Sequence, residues 1–249
     1  MSIKIQAVVY PSSLPVLKQN EFNKKVFNES NADILLFPGW TFKDPARVSD
    51  FKQTITNKKT LGIFDLKDIQ SRGLSNALFA VYKGELKFIS FQLFTTSVEI
   101  SENPLLGQLF LDEFRENRVF EVKGKQVRVI HCGEWNILRN EQEHRIPNKV
   151  KFRFSDRAME RQFLDTLNET SLILNPQHSP MGNQGKMRKR RTYLSANNRG
   201  YISAGNVRII SDLDRTKSAH YACFNGKELE RNLIVGGKYF RLYEYDMKF

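Results

Sequence analysis

Alternating apolar and polar positions divide the first part of the chain into strands and a helix. Residues 3 to 9 form a β-prone run that stops before Pro11, and residues 32 to 37 form an apolar run closed by Pro38. Between them, residues 16 to 31 carry apolar side chains at helical spacing. The order of strand, helix and buried strand predicts a βαβ unit and therefore an α/β fold.

The later segments mix hairpins with crossover helices. Helices are predicted over residues 44 to 57, where Asp44 is the N-cap and Pro45 the first helical residue, over 156 to 168 and over 186 to 198. Further strands are predicted over the segments 60 to 64, 76 to 82, 86 to 94, 119 to 122, 126 to 131, 171 to 174 and 201 to 204, with loops and short helices over 95 to 118 and a last hairpin from 220 to 245. Since no linker or repeat divides the chain, we expect residues 1–249 to form a single domain.

The charge balance favours an anionic partner. Lys and Arg total 39 against 27 Asp and Glu, a net charge of +12. The densest run, called here the basic cluster, comprises Lys186, Arg188, Lys189, Arg190 and Arg191 at the start of a predicted helix. Five cations in six positions cannot share one helical face, so some must face solvent or a partner. Nucleic acid, another anion and a merely solvated charge run all stay open, since no nucleic-acid-binding motif is present.

Several classes of protein are excluded or disfavoured. The two cysteines, Cys132 and Cys223, form no disulfide framework, and the histidines have no metal-binding spacing. Gly236-Gly237 lacks the context of a phosphate-binding loop, so we expect no cofactor. No apolar run approaches the roughly 20 residues that span a bilayer, and no signal peptide is evident. We therefore expect a cytoplasmic protein with no membrane span.

Short motifs at strand ends, taken in chain order, resemble those of a known family. They are residues 32–38, which end in Phe-Pro, Ser75-Asn76-Ala77, residues 127–134 with His-Cys-Gly-Glu, residues 172–176 with Leu-Asn-Pro, residues 193–198, residues 201–206 and the terminal Glu244-Tyr245-Asp246. Together they resemble the nitrilase, or carbon–nitrogen hydrolase, superfamily along nearly the whole chain. The resemblance implies an αββα sandwich and a homodimer.

The resemblance also implies a catalytic glutamate, lysine and cysteine, of which only the cysteine is matched. Cys132 stands at the nucleophile position, but Gly39 follows Pro38 where the general base is expected, and Gln92 stands near the lysine position. Glycine cannot take a proton, and glutamine carries no charge. General acid–base help is worth about 10²–10⁴-fold and an oxyanion donor about 10²–10³-fold, so losing both would suppress turnover.

Three functions stay open from the sequence. The preferred hypothesis is a catalytically degenerate member of the superfamily that acts as a binding or scaffold module. The first alternative is an active thiol hydrolase with Cys132 as nucleophile, in which Glu134, expected on the same face of an extended path, is a replacement base rather than an ordering residue. His131 is a weaker candidate base, because adjacent strand residues point to opposite faces. The second alternative is polyanion binding through the basic cluster.

Overall fold

The computed structural model describes residues 2–67, 76–140, 149–178, 184–213 and 219–249. Its helices are α1 (Val16–Glu29), α2 (Pro45–Lys52), α3 (Ser97–Glu102), α4 (Leu105–Asp112), α5 (Arg157–Glu169) and α6 (Gln184–Leu194), with a π-helical turn at Glu113–Asn117 and a 3-10 helix at Gly133–Ile137. Its strands are β1 (Ser2–Val9), β2 (Ile34–Leu36), β3 (Leu61–Leu66), β4 (Ala77–Tyr82), β5 (Glu85–Phe91), β6 (Val119–Val122), β7 (Lys125–Val129), β8 (Leu138–Asn140), β9 (Val150–Phe152), β10 (Leu172–Gln177), β11 (Gly200–Gly205), β12 (His220–Phe224), β13 (Lys227–Glu228), β14 (Leu233–Gly237) and β15 (Phe240–Lys248).

The strands form two main sheets. The first has the order β14-β15-β1-β2-β3-β4-β5 and the second β13-β12-β11-β10-β7-β6, while β8 and β9 pair separately. In the first sheet β1, β2 and β3 are parallel, and in the second β7, β10 and β11 are parallel. The remaining pairs are antiparallel, which gives the predicted mixture of hairpins and crossovers.

Alternation along β1 shows how the layers are built. Ile5, Ala7 and Val9 belong to the core between the two sheets, whereas Val8 and Tyr10 belong to a second cluster on the opposite face. This follows from the two-residue period of a strand. Helices α1 and α2 cover that second cluster through Phe27 and Phe51.

The second sheet is covered in the same way. Ile173 and Tyr201 face a third cluster that includes residues of α4 and α5, while their strand neighbours face the inter-sheet core. The two sheets thus pack on each other with helices outside, and the expected αββα sandwich is confirmed. None of the helices in the described ranges is long and apolar enough to cross a membrane.

Several local predictions are confirmed. Asp44 caps α2 by accepting from the backbone N–H of Arg47, with Pro45 at the first turn. The hairpin at Lys83-Gly84 and the helix after Asp156 are also present. Lys83 has a φ of 54° and Gly84 a φ of 81°, the left-handed pair that a two-residue hairpin turn requires.

Other predictions are wrong in extent or pairing. Helix α2 ends at Lys52, α6 at Leu194 and β5 at Phe91, while β10 continues through Pro176 to Gln177. Pro176 is tolerated because β7 pairs with β10 only as far as Leu174. The segment predicted as one terminal hairpin is two hairpins, since β12 and β13 belong to one sheet and β14 and β15 to the other.

Candidate functional site

The polar residues of the candidate site follow strands of both sheets at one edge of the sandwich. Gly39 and Trp40 follow β2, Asp65 lies near the end of β3, and Gln92 follows β5. From the second sheet, residues 131 and 132 follow β7, and His178 follows β10. In open α/β sheets, functional groups collect at the carboxyl ends of parallel strands.

Gly39 has no room for a side chain. A Cβ atom placed there would lie 2.1 Å from Cδ2 of His178 and 2.8 Å from backbone atoms of Gln177 and His178. The close approach is held by the Gly39 N–H, which donates to the Gln177 carbonyl at 2.9 Å, and by Asn206 Nδ2, which donates to the Gly39 carbonyl at 2.6 Å. The His178 ring therefore fills the space next to the position where the resemblance expects a glutamate.

Asp65 is a buried carboxylate between two histidines. Its Oδ2 lies 3.1 Å from Nε2 of His178 and 3.3 Å from Nδ1 of His131, and its Oδ1 accepts from the Trp40 backbone N–H at 2.8 Å. Burial raises the pKa of Asp65, but its electrostatic interactions with His178 and His131 and its hydrogen bond with His178 outweigh burial and lower that pKa to about 2. Asp65 is therefore an ionised acceptor at neutral pH.

A chain of polar contacts runs from His178 to Gln92. The Trp40 ring stacks on His178 with centroids 5.0 Å apart, and Trp40 Nε1 donates to Asn76 Oδ1 at 3.0 Å. Asn76 Nδ2 donates to Gln92 Oε1 at 2.8 Å and lies 3.5 Å from His178 Nδ1. Gln92 itself donates to the Phe94 carbonyl at 3.0 Å, so its side-chain amide is bonded at both ends.

Cys132 lies between His131 and Gly133 at the start of the 3-10 helix, and its side chain is partly exposed. The Cys132 backbone is helical, with φ −48° and ψ −58°, so the expected extended path from Cys132 to Glu134 is wrong. Gly133 packs closely: a Cβ there would lie 2.4 Å from Thr95 Cα and 2.7 Å from Gln92 Nε2. Gln92 is thus next to the elbow that presents Cys132.

Glu134 is fully buried in an ion pair with Arg118. Its carboxylate also accepts from the backbone N–H groups of Leu93 at 2.9 Å and His131 at 3.1 Å, while Arg118 donates to the Phe91 carbonyl at 3.0 Å. Burial raises the pKa of Glu134, but the charge of Arg118 and these hydrogen bonds lower it below its usual value. The pair fastens the end of β5 to the residues around Cys132.

The basic cluster does not form one surface. Lys186 and Arg188 are exposed and Lys189 is half-buried, whereas Arg190 and Arg191 are 6% and 2% exposed. Arg190 donates to the Trp135 carbonyl at 3.1 Å and to Asn140 and Asn136 side chains, which ties α6 to the 3-10 helix. Burial lowers the pKa of Arg190 to about 10, yet the group stays charged at neutral pH.

Sequence reasoning missed Asp65 and the role of His178. A charged residue inside the buried run of β3 was the available signal, because an Asp is rarely fully buried unless it is paired. Of the residues named by the resemblance, Asn206 contacts the site, while the Asn198 backbone bonds to Asn225 instead. Ser75 lies outside the described residues. Within the described ranges, no group of three or more His, Cys, Asp or Glu side chains is arranged to hold a metal ion.

Comparison with solved structures gives the same fold at very low identity. A CN-hydrolase superfamily protein from Xanthomonas campestris, with an arsenic adduct in its active site, matches 100% of this chain and 91% of its own at 12% identity and a TM-score of 0.56. The NitN amidase from Nesterenkonia sp. AN1 matches 99% and 93% at 12% identity and a TM-score of 0.58.

A glutamine-dependent NAD(+) synthetase from Cytophaga hutchinsonii matches 99% of this chain but only 43% of its own, at 12% identity and a TM-score of 0.58. No family model and no curated protein sequence matches the chain. The structural neighbours establish a nitrilase-like fold and leave the chemistry to be argued from the site.

Proposed function

We propose that this chain, whose fold is that of the CN-hydrolase amidases, is a thiol-dependent hydrolase of C–N bonds with a rebuilt general base. Cys132 is the nucleophile, and His178, oriented by Asp65, replaces the glutamate. The observation that carries the proposal is the His178 ring, which fills the space beside Gly39 while its Nε2 lies 3.1 Å from the Asp65 carboxylate.

The hydrogen bonding supports Nδ1 of His178 as the nitrogen that serves as the base. Ionised Asp65 can only accept, so Nε2 of His178 carries the proton of that bond and Nδ1 keeps a lone pair. Nδ1 takes the proton of the Cys132 thiol, and the thiolate attacks the amide carbonyl carbon. The amine leaves with that proton, and water then hydrolyses the thioester to the acid and restores the thiol.

His178 is preferred to His131 and Glu134 as the base. Its side chain is 11% exposed, whereas those of His131 and Glu134 are completely buried. Glu134 is already engaged by Arg118 and two backbone N–H groups. We assign Glu134 the positioning of the elbow and of Gln92.

A second candidate, ligand binding without turnover, is favoured by Gln92. The amide carries no charge, and its two ends are bonded to Asn76 and to the Phe94 carbonyl. A developing oxyanion would therefore meet no lysine at this position. The two candidates differ in whether Cys132 is activated, and that property can be measured directly.

The test is the pH dependence of Cys132 alkylation by iodoacetamide, followed by mass spectrometry. We expect the wild-type thiol to titrate well below the ordinary value of about 8.5, and we expect His178→Gln and Asp65→Asn to return it toward 8.5. Cys223 serves as an internal control, since burial raises its pKa to about 11. Ammonia release from short aliphatic amides such as butyramide, with Cys132→Ala as the blank, then measures turnover. Butyramide is chosen because a structural neighbour, a Cys-to-Ala amidase variant, was solved in complex with it.

Two outcomes would decide against the hydrolase. If Cys132 reacts like a model thiol, or if His178→Gln leaves its rate profile unchanged, the base assignment fails. Binding without turnover then becomes the better account. The homodimer implied by the resemblance stays a prediction, which sedimentation equilibrium measures.

A further inference from the structure

Arg191 is a buried cation that has no anionic partner among the described residues. Its side chain belongs to a residue only 2% exposed, and its guanidinium carbon lies 3.4 Å from the centroid of the Tyr221 ring. Among the described residues, Nε and Nη1 have no hydrogen-bond acceptor, and no carboxylate lies within ion-pair distance of the guanidinium. Leaving a charge buried and unpaired is costly, so such a group points to a missing partner.

The two groups that contact the Arg191 guanidinium, Cys223 and Tyr221, supply no negative charge. Burial raises the pKa of the Cys223 thiol to about 11 and raises that of the Tyr221 hydroxyl above its usual value. Both groups are therefore neutral at pH 7. They can accept a weak hydrogen bond from the guanidinium, but they do not neutralise it.

Arg191 also lines a cavity of about 720 Å³ between α6 and the segment that follows β13. Arg188, one turn earlier on α6, and Arg231 line the same cavity. Exposed Glu228 and Glu230 contribute the opposing charge, so the lining holds three arginines against two carboxylates. The volume lies within the range of small-molecule sites, about 300–1,000 Å³.

We propose that this cavity, the Arg191 cavity, binds a phosphorylated small molecule whose phosphate pairs with Arg191. A guanidinium forms strong, charge-assisted hydrogen bonds with phosphate oxygens, and Nε and Nη1 of Arg191 are donors without acceptors among the described residues. Arg188 adds a second cation at the mouth. The site is separate from Cys132, and the proposal does not depend on the proposed hydrolase. It assigns anion binding to a defined pocket instead of to the whole basic cluster.

The experiment titrates the purified protein with inorganic phosphate and with pyrophosphate at constant ionic strength, and follows the thermal midpoint and the binding heat. A ligand of the folded state raises the midpoint saturably. We expect Arg191→Gln to weaken binding by more than about tenfold, since it removes the charge-assisted hydrogen bonds to the phosphate. Arg188→Gln, at the exposed rim, should weaken it several-fold and should fold normally.

Lys189→Gln is the matched control, because Lys189 lies on the same helix but does not line the cavity. Its binding should equal that of the wild type. If Lys189→Gln weakens binding as much as Arg188→Gln does, the phosphate is attracted to the basic surface in general. The proposed binding site in the pocket is then refuted. The proposal also fails if neither probe binds saturably. It fails as well if Glu228→Gln leaves phosphate binding unchanged and if, in that background, Arg191→Gln no longer changes the stability. Glu228 would then be the counter-ion of Arg191.

Discussion

At the scale of single residues, the geometry of the site depends on a backbone approach so close that no side chain fits at the point of contact. Gly39 allows the His178 ring and the backbone after β10 to approach the loop after β2. The absence of a side chain at position 39 therefore makes room for the His178 ring. Asp65, on the strand next to β2, places a buried carboxylate beside that ring.

Gly39→Ala should destabilise the protein by about 1–3 kcal/mol, the usual cost of forcing extra volume into a packed interior. The added Cβ would meet His178 Cδ2 at 2.1 Å and backbone atoms at 2.8 Å, and the backbone cannot move aside as a side chain can. Urea denaturation measures the change. Gly236→Ala is the control, since its Cβ would meet nothing nearer than 3.8 Å. Equal midpoints for both variants would contradict the close packing at Gly39.

At the scale of elements, one buried ion pair joins the end of β5 in the first sheet to two segments next to strands of the second sheet. Arg118 precedes β6, Glu134 lies in the 3-10 helix, and both bond to backbone at the end of β5. The sequence positions are far apart, but the pair gives the loops around Cys132 a common anchor. Replacing only one partner leaves the other charge buried without compensation.

Glu134→Gln should lower the free energy of unfolding by about 3–5 kcal/mol, because Arg118 stays buried and charged. Chemical denaturation measures the loss, and the alkylation rate of Cys132 should change with it, because Gln92 is no longer fastened beside the elbow. The control is Glu116→Gln, which breaks the exposed pair of Arg115 with Glu116 and should have no measurable effect. A similar stability for the two variants would show that the buried pair does not anchor these elements.

At the scale of the whole molecule, the two sheets are joined by a hydrogen bond across the core. His220 on β12 donates from Nδ1 to the Ser203 carbonyl at 2.6 Å, and its Nε2 accepts from the Tyr245 hydroxyl on β15 at 2.8 Å. Burial lowers the pKa of His220 from 6.5 to about 3. Between pH 6.5 and about 3, the ring is therefore neutral in the folded protein but protonated in the unfolded chain.

Stability should consequently fall as the pH drops from 6.5 toward about 3, since the unfolded state binds the proton more tightly than the folded state does. The slope from this one group approaches about 1.4 kcal/mol per pH unit. Stabilisation by Asp65 has the same sign but is lost only lower, between 3.8 and about 2. Denaturation curves of wild type and His220→Gln between about pH 6.5 and 4.5 isolate the histidine. If the stability of the wild type and of His220→Gln changes with pH in parallel, the predicted contribution of His220 is refuted.

The sequence alone determined the features that depend on neighbours along the chain. The capping of α2 by Asp44, the turn at Lys83-Gly84 and the buried run of β2 each follow from a few adjacent residues. The order of these elements predicted an α/β fold and placed Cys132 at a strand end, while the αββα sandwich was predicted from the resemblance of the strand-end motifs. The ends of the elements were less predictable. Strand β5 stops at Phe91 because Arg118 bonds to the backbone carbonyl of Phe91 and Glu134 bonds to the backbone N–H of Leu93.

The contacts between distant groups depend on the packing of the whole molecule. His178 and Asp65 are 113 residues apart, and no sequence pattern near either residue predicts their contact. The basic cluster looked uniform in sequence, yet its register on α6 buries Arg190 and Arg191 and exposes Lys186 and Arg188. Burial and charge pairing are properties of the packed molecule, so the chemistry of this site was decided by packing rather than by local sequence.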